Sequence, residues 1–185
     1  MNFLKNFFAS LWDIFKVAVT ALILAGIVRY FLVQPFFVEG ASMEPNFESG
    51  EYLLIDEVSY YFRSVERGEV VVFHYPLDAS KYYIKRIIGL PGETVEIKNG
   101  KIVIYNGKNL NGFIVDEKYL PEKLMTDGQL KRKLGDSEYF VLGDNRPRSS
   151  DSRLWGTLPK DDIVGRAWVR AWPINRMSIF SRQAD

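Results

Sequence analysis

The sequence predicts a mainly β domain carried behind a single N-terminal helical anchor. Three observations point there. Residues 17–28 form an uncharged apolar run. After it come short runs rich in β-branched and aromatic residues, separated by Gly, Pro and Asn turn signals. No segment of substance beyond residue 33 has a helical period, and there is no internal repeat or low-complexity tract. A length of 185 residues allows one ordinary domain plus an anchor.

Composition removes several function classes. A net charge of +1 argues against a nucleic-acid binder, which would present a basic face. Zero cysteines excludes a disulfide framework and a cysteine nucleophile. No His/Cys/Asp cluster has metal-ligand spacing and no glycine loop of the phosphate-binding kind occurs, so no metal and no cofactor is expected. Aromatic residues make up 15% of the chain, and their clusters near the N-terminus and at Trp168–Trp172 suit a bilayer interface or a well-filled β core.

The run at 17–28 is shorter than the roughly 20 apolar residues that span a bilayer. Extension to Val33 adds one charge, Arg29, and both Lys16 and Arg29 can snorkel to the headgroups. Trp12, Phe15, Tyr30 and Phe31 would then sit at the interfaces. A cleavable leader and a buried core helix are the competing readings. The expected division is a short cytoplasmic segment at 1–10, a transmembrane anchor at 11–33, and an extracytoplasmic β domain at 34–185 with a peripheral insertion at about 98–137. Lys5 and Lys16 before the run, against Glu39, Glu44 and Glu48 after it, favour that orientation.

Pro35 stops the helix, because it lacks an N–H and disfavours a helical residue before it. Phe36–Val38, Glu51–Ile55, Val70–Phe73 and Tyr82–Ile88 read as strands, the last ended by Gly89-Leu90-Pro91-Gly92. Thr94–Lys98 and Lys101–Tyr105 flank Asn99-Gly100, a strong hairpin signal, since a type I′ turn needs positive φ at both central positions. Residues 109–137 show no clear period and many charges, and read as a solvated insertion. Glu138–Leu142 and the partly alternating 161–172 close the domain as strands.

Chemistry concentrates at Gly40-Ala41-Ser42-Met43-Glu44-Pro45. A serine hydroxyl needs a base beside it to act as a nucleophile. His74, the only histidine, ends a strand. Lysine is the other option if a dry setting lowers its pKa from about 10.4 toward neutrality. Lys85 lies among Ile84, Ile87 and Ile88 and fits that requirement.

These stretches together resemble bacterial type I signal peptidases, membrane-anchored Ser/Lys proteases that remove signal peptides from exported proteins. The resemblance runs through Val28–Pro45, Arg67–Phe73, Tyr83–Gly92 and Gly143–Arg153 with Trp155-Gly156. It implies an N-terminal transmembrane helix followed by an antiparallel β domain of coiled sheets. It implies Ser42 as nucleophile and Lys85 as general base, with Ser149 orienting the lysine amine. Arg86 with Asp144, and Asp151 with Arg153, are implied ion pairs supporting the site. The Ser42 N–H is the expected oxyanion donor. Some family members carry a serine two positions before the nucleophile; here that position is Gly40, so any second donor is its N–H or a water. The substrate is expected to add as an extended strand near Val38 and Tyr83. Val38, Met43, Phe47, Tyr83 and Ile84 are the candidate lining of a pocket for small residues at −1 and −3.

The expected partners are secretory preproteins, membrane lipid and export machinery, with no nucleic acid, and the chain is expected to act as a monomer at the cell membrane. Two other functions fit parts of the pattern. A self-cleaving Ser/Lys repressor shares the dyad but calls for an N-terminal DNA-binding domain. A non-catalytic membrane-tethered β domain binding exported chains would not need both dyad residues.

Overall fold

The computed structural model describes residues 2–31, 33–122 and 124–180, and the side chains of 10–23, 26, 34–122 and 124–180. Helix α1 (Asn2–Phe31) has 30 residues, about 45 Å at 1.5 Å per residue. Among the described residues, no helix is long and apolar enough to cross a membrane. The anchor expectation falls partly outside them: Leu32, and the side chains of 24–25 and 27–33, are not among those described. The same holds for most of residues 1–10, of which the helical backbone and Ser10 are described.

The strands follow in order: β1 (Val33–Phe37), β2 (Tyr52–Asp56), β3 (Val70–Tyr75), β4 (Asp78–Gly89), β5 (Thr94–Lys98), β6 (Lys101–Asn106), β7 (Asn109–Ile114), β8 (Leu130–Lys133), β9 (Glu138–Leu142), β10 (Leu158–Pro159), β11 (Ile163–Trp172) and β12 (Ser178–Ile179). Two four-residue helices interrupt them, α2 (Ser59–Phe62) and α3 (Ser152–Trp155). The larger sheet has the order β1-β2-β11-β3-β4-β9-β10, with β12 on β11. The smaller has the order β7-β6-β5-β8. Every pairing is antiparallel.

Alternation builds the layers. In β5 and β6, Val95, Ile97, Ile102 and Ile104 are buried while their neighbours along each strand are not. The β5–β6 turn has Asn99 at φ 52° and Gly100 at φ 76°, the conformation expected of the Asn-Gly dipeptide. Residues 109–137 are more ordered than their sequence suggests, because β7 and β8 flank the β5–β6 hairpin and complete the smaller sheet. Strand β8 is mostly exposed, and its Lys131-Arg132-Lys133 suits a sheet edge that repels further strands.

Three apolar clusters fill the domain. One lies beneath the Ser42 loop and joins Val38, Met43, Phe47, Leu53, Ile55, Val70, Val72 and Ala167. A second joins the sheets through Ile88, Val95, Ile97, Ile102, Ile104, Leu134, Phe140 and Leu142. The third packs Val71, Phe73, Ile87, Tyr139, Val141 and Leu158 on the opposite face of the larger sheet.

Candidate active site

The Ser42 loop leaves β1 and returns to β2, so its ends are fixed by sheet pairing. Val38 N–H donates to Glu51 O, and Gly50 N–H to Val38 O, both at 2.9 Å. Met43 and Phe47 are buried in the cluster below, which anchors the loop one residue past Ser42 and again four residues later. Phe47 N–H closes this turn on Met43 O at 2.9 Å. Ser42 itself is only partly buried.

Lys85 stands on β4 opposite Val71 of β3. It is 4% exposed, and its Nζ donates to Ser42 Oγ and to Ile84 O, each at 2.8 Å. Sheet pairing therefore brings together two residues 43 positions apart. Burial lowers the Lys85 pKa to about 8, against the opposing pull of the Asp151 and Asp144 carboxylates. The ring of Tyr83 lies 5.2 Å from the amine. A hydroxyl hydrogen-bonded to an amine of lowered basicity, in a dry setting, can be deprotonated and attack a carbonyl carbon.

Alternation along β4 sends Arg86 to the face opposite Lys85. Arg86 donates from Nε to Asp144 Oδ1 at 2.9 Å and from Nη2 to Oδ2 at 2.6 Å, and Asp144 is fully buried. Asp151 accepts from Gly143 N–H at 3.1 Å and from Arg153 Nε at 2.8 Å. It also caps α3. Both expected ion pairs are formed. Gly143 has to be glycine: a Cβ there would stand 2.2 Å from Ser149 Oγ and 2.4 Å from Ser42 O. The turn after β9 can thus press against the Ser42 backbone.

Ser149 is buried beside Ser42 and Gly143, but its hydroxyl makes no hydrogen bond among the described residues. The second acceptor for the Lys85 amine is Ile84 O, which the unpaired edge of β4 leaves available. Met43 and Phe47 are 1% and 2% exposed and serve the core, because the loop must bury them to stay closed. The Gly40 N–H is already engaged, donating to Ser49 Oγ at 3.3 Å. Val38 is buried in the same cluster as Met43, whereas Tyr83 and Ile84 are half-buried along β4. His74 Nδ1 donates to Ala79 O at 2.9 Å and its ring packs on Tyr82.

Two asparagines join the site without a role that the sequence assigns. Asn145 donates from Nδ2 to Ala41 O at 2.9 Å and from its N–H to Ser42 O at 3.0 Å. Asn46 donates to Asp144 Oδ2 at 2.9 Å. Their positions within the two polar loops were the only available signal.

Comparison with known proteins adds a family. The model described as "Signal peptidase, peptidase S26" matches residues 11–172. A probable signal peptidase I-2 of Synechocystis sp. is 40% identical over 92% of this chain and 77% of its own length. A signal peptidase I of Bacillus amyloliquefaciens is 37% identical over 90% of this chain and 88% of its own. A solved signal peptidase I from Enterococcus faecalis V583 is 29% identical and covers 56% of this chain and 97% of that one, with a TM-score of 0.47.

Proposed function

We propose, for a chain that belongs to the signal peptidase family, peptidase S26, that Ser42 and Lys85 are the dyad with which it cuts signal peptides from exported preproteins. That the chain is a signal peptidase enzyme follows from its family. The observation that carries the dyad reading is the 2.8 Å contact between Lys85 Nζ and Ser42 Oγ in a buried setting.

Neutral Lys85 accepts the Ser42 hydroxyl proton as Oγ bonds to the scissile carbonyl carbon. The resulting oxyanion is held by the Ser42 N–H. The Lys85 ammonium then protonates the departing amine, which leaves an acyl-Ser42. Lys85, neutral again, draws a proton from water for hydrolysis of that ester.

The substrate enters as an added strand. Support comes from β4, which pairs with β9 only from Arg86 onward, so its edge at Tyr82–Lys85 is open among the described residues. Small residues at −1 and −3 fit beside Tyr83 and Ile84, which are half-buried along β4. Helix α1 anchors this domain to the membrane as a single span, with residues 34–185 outside. Support for the anchor is its 30-residue length and the uncharged run at 17–28.

The test is cleavage of a preprotein bearing an Ala-x-Ala site by the full chain in detergent. Ser42→Ala and Lys85→Met are each expected to reduce cleavage at least 1,000-fold, on the order of a lost nucleophile or base. Activity retained by either variant would remove that residue from the dyad.

A further inference from the structure

Three segments make the proposed site: the loop after Ser42, strand β4, and the turn that follows β9. A fourth segment, between β7 and β8, touches all three from behind, although it carries none of the recognised motifs. From the Ser42 loop, Asn46 Nδ2 donates to Tyr119 O at 2.9 Å while also reaching Asp144. From β4, the Arg86 guanidinium lies 3.9 Å from the centre of the Tyr119 ring. From the turn, Arg146 forms an ion pair with Glu117, and its Nη2 reaches Tyr119 Oη at 3.4 Å. Tyr119 Oη in turn donates to Glu117 Oε1 at 2.7 Å.

The energetics make this junction more than incidental contact. Arg146 is 2% exposed, and a buried guanidinium needs a partner. Glu117 is the only carboxylate within ion-pair distance of it among the described residues. Arg146 Nε donates to Gly143 O at 3.0 Å, so the position of Glu117 reaches the residue that abuts Ser42 O. The Tyr119 ring covers the face of the guanidinium whose edge grips Asp144. Asn145, next to Asp144, holds the carbonyls of Ala41 and Ser42. A displacement of Tyr119 is thereby passed to both members of the dyad.

We infer that Tyr119 and Glu117 are positioning residues for signal-peptide cleavage, fixing Ser42 against Lys85 through Arg86, Asp144 and Arg146. The inference rests on the Ser42/Lys85 reading. It assigns a catalytic consequence to a segment that, among the described residues, bonds to neither dyad residue.

The experiment is steady-state cleavage of the Ala-x-Ala preprotein by the full chain in detergent, for wild type, Tyr119→Ala, Tyr119→Phe and Asn46→Ala. Phenylalanine keeps the ring over Arg86 and loses only the phenol bonds. A misplacement of about 1 Å costs on the order of 100-fold in rate, so Tyr119→Ala is expected to lower kcat roughly 30- to 100-fold with KM within about twofold. Tyr119→Phe is expected to stay within about threefold of wild type, a rescue that general destabilisation would not produce. A Tyr119→Ala kcat within threefold of wild type, a loss confined to KM, or a Tyr119→Phe as impaired as Tyr119→Ala would each overturn the inference. If Tyr119→Ala does not fold, Asn46→Ala decides: about a tenfold loss in kcat is expected, and wild-type kcat overturns it. Ser42→Ala and Lys85→Met run alongside. If they are inactive while Tyr119→Ala is normal, only this inference fails. If either is active, the dyad reading falls and takes this inference with it.

Discussion

At the residue scale, the site keeps a lysine where a lysine is costly. Lys85 titrates normally near 10.5 and is lowered to about 8 here by burial. In the folded chain it therefore releases its proton at a pH where the unfolded chain still holds one. Stability contributed by this group rises as pH goes from about 8 to about 10.5, by about 3 kcal/mol in total. Below pH 8 both states are protonated, and the buried charge is a standing cost. Urea unfolding of wild type and Lys85→Met between pH 7 and 10 checks this. The variant is expected to be the more stable at pH 7, with the difference shrinking as pH rises; parallel curves would contradict it. The residues of this site divide by how much sequence pattern reveals. Ser42, Lys85, Arg86, Asp144, Asp151 and Arg153 carry polar chemistry in motifs, and the structure brings all six together. Met43 and Phe47 follow Ser42 closely in sequence, and the short loop buries both apolar side chains. Tyr119 could not be found by pattern, because its role depends on a contact with Arg86, 33 positions away.

At the element scale, the strands legible in the sequence are those with buried apolar residues, on one face as in β5 and β6 or on both as in β3 and β9. β5 and β6 alternate cleanly, and Asn99-Gly100 fixes their register. β7 and β8 escape because their sequences lack alternation: Asn109–Ile114 has no buried residue, and Leu130–Lys133 is three-quarters basic. Such strands are held by pairing to a better neighbour, not by their own pattern. The hairpin turn gives an independent check. Gly100 has φ 76°, and a Cβ there would meet the Met125 side chain at 3.0–3.1 Å. Gly100→Ala is expected to cost about 1 kcal/mol or more in urea unfolding, with kcat unchanged. A large loss of activity with no loss of stability would mean that the smaller sheet has a role beyond supporting Glu117 and Tyr119.

At the scale of the whole molecule, the larger antiparallel sheet holds a dry amine against a hydroxyl, and the proposed anchor presents that site at a membrane surface. The anchor is tested by alkaline carbonate extraction of membranes from expressing cells. The full chain is expected to stay in the pellet, whereas a variant lacking residues 2–31 is expected in the supernatant; release of the full chain would count against a spanning helix. The β architecture was legible because turns and β-branched runs recur along residues 34–172. The junction of the three proposed catalytic segments was not, since it depends on how the larger sheet folds strands distant in sequence into one surface. The central claim is that burial beside Ser42 makes Lys85 a general base. The pH dependence of kcat/KM for preprotein cleavage tests it most directly, because this ratio reports the free enzyme. The rate is expected to rise about tenfold per pH unit and level off near pH 8, where Lys85 loses its proton. A rise centred at about 6.5, the ordinary range of an imidazole, or one continuing past pH 10 as for an ordinary lysine, would contradict it.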